Sequence, residues 1–179
     1  MKTGWWRLNW WGLLLLVPAL VLALYLPAKD AYAQYRNAEP RKPISGAPGG
    51  SVTFAGARLR LEQLSVAKGL KDSFDEPVDI PDGTQAWQAT IDFDEPDTKA
   101  LSLCRVYLET GDGKTFSASP EELGDLDAQF EYCTPDDTDL KSATFQRVEY
   151  FLLPQNVRPV AVEITLKEKL PTYARLTPP

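Results

Sequence analysis

The chain has 179 residues, 44% of them apolar, and a formal net charge of −6, which suits one ordinary core with an appendage. Histidine is absent, which removes the commonest general base, the His-containing zinc sites and every Ser-His or Cys-His nucleophile pair. Residues 1 to 43 carry six Lys or Arg against Asp30 and Glu39, a net of +4, whereas residues 44 to 179 carry thirteen against twenty-three Asp or Glu, a net of −10; so acidic a region, with no basic stripe, excludes nucleic acid as a partner.

In chain order the first element is apolar. Residues 10 to 28, WWGLLLLVPALVLALYLPA, hold no charge and as a helix cover about 28 Å, close to a hydrocarbon core of about 30 Å. Trp5, Trp6, Trp10 and Trp11 at one end and Tyr25 at the other match the aromatic belts where acyl chains meet water. Pro18 predicts a kink, its freed carbonyl being re-satisfied locally in a membrane helix. Residues 1 to 9 then form a cytoplasmic or interfacial N-terminus and residues 10 to 28 a transmembrane helix. A cleaved signal is the rival reading: Lys2 and Arg7 form a basic n-region, and Ala31-Tyr32-Ala33 before Gln34 has the A-x-A form. Lys29 and Asp30 beside that site, and the Trp-rich start, favour a retained anchor.

Charge counting and cysteine usage disagree on orientation. Lys29, Arg36, Arg41 and Lys42 follow the span, which by charge alone places the C-terminal side inside. The only two cysteines, Cys104 and Cys133, suit a disulfide, and persistent disulfides belong to oxidising compartments. The reading adopted is a single-pass protein of the cell membrane, N-terminus cytoplasmic and C-terminal domain extracytoplasmic.

Residues 29 to 50 lack a sustained apolar period and gather Pro40, Pro43, Gly46, Pro48, Gly49 and Gly50. They predict a stalk, helical at most near Asp30 to Asn37, with the folded domain at 51 to 179. There the dominant period is two. Trp87, Ala89, Ile91 and Phe93 share one strand face, as do Cys104, Val106 and Leu108, and Val160, Val162, Ile164 and Leu166. In ARLRLEQLSV the apolar parity changes after Leu61, which a β-bulge would reconcile. In FQRVEYFLL the expected apolar face is Val148, Tyr150 and Leu152. TGDGKTF predicts a hairpin turn at Gly111 to Gly113, and SPEELGDL a short helical turn with Ser119 as cap and Glu122 three positions on. Six to eight such strands predict an all-β fold, an antiparallel sandwich preceded by one N-terminal transmembrane helix.

Cys104 and Cys133, 29 positions apart, predict a disulfide that fastens the intervening acidic excursion to the sheet; two buried free thiols are the alternative. Trp87 is expected to pack in the core beside it, and Tyr107, Tyr132 and Tyr150 to reach outer faces. Acids recur at 72 to 82, 92 to 97 and 134 to 139. Asp92, Asp94, Asp97, Asp136, Asp137 and Asp139 are the candidate calcium ligands, since the ion takes six to eight hard oxygens. No twelve-residue calcium loop is present, so solvated turn acids are the default and no metal or cofactor is expected. Glu109, Glu131 and Glu149 are the glutamates that could form a glycosidase pair, but nothing sets one apart, and no enzyme is expected.

The order of an apolar segment, a Pro/Gly stalk, a strand FAGARLRLEQL, the run VYLETGDGKTF and the closing VEYFLLPQNVRPVAVEITL resembles the uncharacterised immunoglobulin-like domains of bacterial membrane-anchored surface proteins and lipoproteins. The resemblance implies an extracytoplasmic accessory or binding role and transfers no functional residues. Those lipoproteins carry a lipid-modified cysteine after the signal, whereas here no cysteine precedes Cys104. The expected function is therefore a protein-interaction module or accessory subunit whose partners are the membrane and another envelope or membrane protein. The alternative is a secreted or anchored ligand- or calcium-binding module that uses the acidic loops.

Overall fold

The computed structural model describes residues 4–72, 74–124, 126, 133–135 and 142–179, and the chain divides into two compact units, Met1–Glu39 and Pro40–Pro179. The first unit is one helix, α1, Gly4–Asn37, with Pro18 and Pro27 inside it. By length and composition Asn9–Asn37 is long and apolar enough to cross a membrane, and none of its apolar window is buried within the protein. Trp10, Trp11 and Tyr25 are 55%, 72% and 60% exposed; the side chains of Trp5 and Trp6 lie outside the description. The helix continues past Ala28 into a polar end, where the Arg36 guanidinium lies 5.8 Å from the centre of the Tyr32 ring one turn back, a cation–π contact.

The second unit holds nine strands among the described residues: β1 (Lys42–Ser45), β2 (Val52–Phe54), β3 (Ala57–Val66), β4 (Thr84–Glu95), β5 (Cys104–Thr110), β6 (Thr115–Ser117), β7 (Ala143–Pro154), β8 (Pro159–Leu166) and β9 (Thr172–Leu176). They form a five-stranded sheet in the order β1-β9-β8-β5-β6 and a four-stranded sheet in the order β2-β3-β4-β7. The unit is a β-sandwich, for side chains of both sheets share one core. Two expectations change. The stretch predicted as a stalk contributes the last turns of α1 and the edge strand β1, so the sheet starts before Ser51. The pairing is also not wholly antiparallel, because β1 runs parallel to β9, Ile44 opposite Ala174.

Period-two patterning places the core. Trp87, Ala89, Ile91 and Phe93 of β4 and Cys104, Val106 and Leu108 of β5 are buried in it, with Val162, Ile164 and Leu166 of β8. Val160 is 36% exposed where β8 begins. The β3–β4 register slips between Leu61 and Gln63, so Leu59 and Leu61 face Phe93 and Ile91 while Leu64 and Val66 face Ala89 and Trp87. That bulge reconciles the parity change the sequence carries.

β7 departs from its predicted face. Phe151 and Leu153 enter the main core, and the Phe145 ring stacks on Phe93 with centroids 5.0 Å apart. Tyr150 and Leu152 pack instead against a second cluster of Ala67, Ala86, Leu123 and Leu126 on the outer face of the four-stranded sheet. Both faces of this end of β7 are covered, so apolar residues occupy both parities.

The β5–β6 hairpin turns at Gly111–Gly113, with Gly113 at φ +79°; the Thr110 hydroxyl lies 2.6 Å from Asp112 Oδ1 and 2.9 Å from the Lys114 carbonyl. At the next turn the sequence expectation fails. Residues Glu121–Leu123 form a 3-10 turn without side-chain capping. Ser119 sits at φ +54° and its N–H donates 2.9 Å to the Tyr150 carbonyl, so it ties the turn to β7 rather than capping it.

Cys104 and Cys133 form a disulfide across a sequence separation of 29, with Cα atoms 5.8 Å apart. Both are buried in the core that holds Trp87. Loop-closure entropy for that span is worth about 3 to 4 kcal/mol, or about 10 °C in a unit of this size. The double variant Cys104→Ser/Cys133→Ser is expected to lower the Tm of the folded unit by about that amount in a thermal melt. A fall below about 2 °C would show that the staple does not contribute in this way.

Candidate functional site

Three polar constellations stand out on the sandwich. The first is an open groove of about 550 Å³ on the outer face of the four-stranded sheet, to which β3 gives Arg58 and Arg60, β4 gives Asp92 and Asp94, and β7 gives Thr144 and Gln146. Strand register makes it mixed in charge: Arg58 lies opposite Asp94 and Arg60 opposite Asp92. Gln146 Nε2 donates to Asp92 Oδ1 at 2.8 Å. Arg60 donates to the Gly49 carbonyl at 3.2 Å and pairs with Glu62 at 2.9 Å. Among the described residues the side chains of Arg58 and Asp94 make neither an ion pair nor a hydrogen bond, so a free donor and a free acceptor face the groove.

This geometry separates the acids grouped as calcium ligands. Asp92 and Asp94 project from a strand and oppose guanidinium groups, which repel a cation. Asp97 lies in the following turn, where its Oδ1 accepts the Lys99 N–H at 3.0 Å, an Asx turn that needs no ion. Asp136, Asp137 and Asp139 lie outside the described residues. Among the described residues no group of three or more potential ligands could hold a metal.

The second constellation lies on the outer face of the five-stranded sheet. The Arg175 guanidinium grips both oxygens of Glu109, through Nε and, at 3.2 Å, through the terminal Nη2. Glu163, 5% exposed, sits on the intervening strand β8, opposite Tyr107 and Arg175. Its burial, with the Glu109 carboxylate nearby, pushes its pKa up; a hydrogen bond from Tyr173 and the charge of Arg175 act in the other direction. Strand β8 thus keeps an acid buried on the solvent side of its sheet beneath longer neighbours. The glutamates of the glycosidase reading do not meet. Glu109 belongs to this face of one sheet, Glu149 to a strand of the other, and Glu131 lies outside the described residues. Tyr107 and Tyr150 likewise belong to different sheets and form no common patch; Tyr132 is not described.

The third comprises two separate buried acids on the core-facing parity of the four-stranded sheet, Glu95 at the end of β4 and Glu149 on β7, six residues apart in register. Glu95 is 1% exposed and neither carboxyl oxygen has a hydrogen-bond partner. Its burial, and the Asp97 carboxylate nearby, push its pKa up to about 7. Glu149 is raised to about 7 by burial, against the opposing charge of Arg147. The Arg147 side chain in turn donates through Nη2 to the Thr134 carbonyl, next to the disulfide. Glu95 continues the alternation of Trp87, Ala89, Ile91 and Phe93, but its place in the acidic run DFDEPD hid it. Glu163, Tyr173 and Arg175 had no sequence signal, because only strand order brings them together.

No family model matches the chain, and no curated protein matches it. Among solved structures it is similar to an uncharacterised β-sandwich protein of Clostridium difficile 630, at 10% identity; the likeness covers 76% of this chain and 95% of that one, with a TM-score of 0.38.

The buried acids predict a pH dependence. With folded pKa values near 7 against 4.5 for the unfolded groups, the native state retains protons between those values that the unfolded chain has released. Stability therefore falls as pH rises through that window and levels off above it. Thermal melts should give a lower Tm at about pH 8 than at about pH 5, and Glu95→Gln should reduce that difference. A Tm that rises over the interval, or an unchanged difference in the variant, contradicts this assignment.

Proposed function

We propose that the chain is a single-pass membrane protein that displays an immunoglobulin-like β-sandwich on the extracytoplasmic side, as an interaction module or accessory subunit of an envelope membrane complex. The observation that carries this reading is α1: an apolar window of a helix that is not buried in its own protein at all. Side chains such as Trp11, Leu15 and Leu22, each 60% exposed or more, need an apolar medium, and a bilayer supplies one across the whole circumference of a helix. Exposed aromatics toward both ends suit the headgroup boundaries.

The Cys104–Cys133 bond supports the oxidising side for the sandwich and a cytoplasmic start for α1. Retention of the anchor is supported by the place of Ala31-Tyr32-Ala33 inside the continuous helix, because proteolytic nicking concentrates at loop tips and loose termini. The immunoglobulin-like type is supported by two facing sheets whose core holds a tryptophan and a cystine together. The interaction role is supported by the mixed-charge groove, which offers unengaged polar groups on a rigid sheet.

Membranes from cells that make the protein should keep it through an alkaline carbonate wash, and its intact mass should include residues 1 to 33. Mild detergent should extract it together with a second membrane protein in fixed ratio. Release by carbonate, a mass lacking those residues, or a consistently solitary chain would each overturn the reading.

A further inference from the structure

Between β3 and β4 the chain makes a tongue that the groove and the core do not account for. Its base is fastened. Val78 N–H donates to the Leu70 carbonyl at 3.0 Å, Lys71 and Pro77 form a β-bridge, and Leu70 and Val78 pack against the second apolar cluster. Its tip is built around one carboxylate. Asp72 Oδ1 accepts the N–H of Phe74 at 2.8 Å and of Glu76 at 2.9 Å. Asp72 N–H donates to the Glu76 carbonyl at 2.9 Å, and Asp75, held at φ +67°, donates its N–H to the Asp72 carbonyl and accepts Lys71 Nζ at 2.7 Å.

The product of this local order is an aromatic ring in water. Phe74 is 81% exposed, beyond the next large apolar side chain among the described residues of the same unit, Leu103 at 64%. Single exposed apolar residues are ordinary on protein surfaces. This one differs because, among the described residues, the hydrogen bonds of Asp72, Phe74, Asp75 and Glu76 fix the backbone on which the ring stands while the ring itself stays exposed. Around it residues 71 to 82 carry five acids against Lys71.

From this we infer that Phe74 is the anchor of a protein-docking site, inserting into an apolar pocket that is rimmed by Lys and Arg on the partner. This rests on the interaction-module reading and names its surface. A rigid aromatic on a pre-ordered turn loses little further freedom on binding, the condition under which one side chain dominates an interface. The acidic surround steers a basic surface toward it and sets register. The same carboxylates repel lipid phosphates, so a pocket in a protein fits this tip better than a bilayer does.

The test places a photoreactive benzoylphenylalanine at position 74 of the full-length protein in its native membranes, with parallel probes at Gln146 in the groove and Lys114 on the β5–β6 turn. The inference expects a discrete protein adduct from position 74 above that from Lys114. With the identified partner purified, Phe74→Ala should weaken Kd at least about tenfold without moving Tm. Glu76→Gln with Asp79→Asn should weaken it further and flatten its salt dependence. A protein adduct at Gln146 and none at 74 overturns this inference and leaves the module reading standing. Adducts at 74 with lipid alone, or a Kd that Phe74→Ala leaves within about twofold, also overturn it. No protein adduct at any position overturns both.

Discussion

Apolar surface in contact with water costs free energy in proportion to its area, and α1 has no packing partner within its own unit. That constraint orders the rest of the account. On the proposed reading a bilayer accepts the helix all round, and the polar end of α1, with Lys29, Asp30 and Arg36, is where the chain would return to water. On the oxidising side the Cys104–Cys133 bond is a stable part of the fold. In a reducing compartment the same two buried sulfurs would be thiols, and the segment before β7 would lose its covalent tie.

The sandwich obeys a simpler rule, in which alternate side chains of two sheets fill one core and their neighbours face outward. This rule made β4, β5 and most of β8 readable from the sequence, including the bulge after Leu61, because each of those strands keeps one covered face. β7 was misread for a physical reason. Its C-terminal half is covered on both sides, by the main core and by the cluster of Ala67, Ala86, Leu123 and Leu126, so parity no longer separates inside from outside. Strand β1 was hidden in a Pro/Gly-rich stretch, and it forms by parallel addition to β9, a long-range pairing without a local signature. Ser119 was expected to cap a turn and instead serves β7 with its backbone.

The acids show the same division between local and tertiary information. As a sequence, Asp92 to Asp97 is one acidic run suggestive of a cation loop. On the strand it separates into outward carboxylates opposite arginines, one inward carboxyl without a hydrogen-bond partner, and one turn residue closing its own backbone bond. A buried acid such as Glu95 is tolerated by staying protonated rather than by finding a counter-ion, and this is the physical source of the pH dependence expected of the fold. The Glu109–Arg175 pair and the acid Glu163 beside it owe their meeting to the order β9-β8-β5, which no spacing in the chain announces.

The central claim is that the helix and the cystine belong to one arrangement, with the sandwich on the oxidising face of a bilayer. Thiol labelling in intact cells tests it most directly. Both cysteines should resist an impermeant maleimide until an impermeant reductant and denaturant are added, and should then be labelled without permeabilising the membrane. Labelling that requires permeabilisation, or two free thiols before any reduction, would contradict the account.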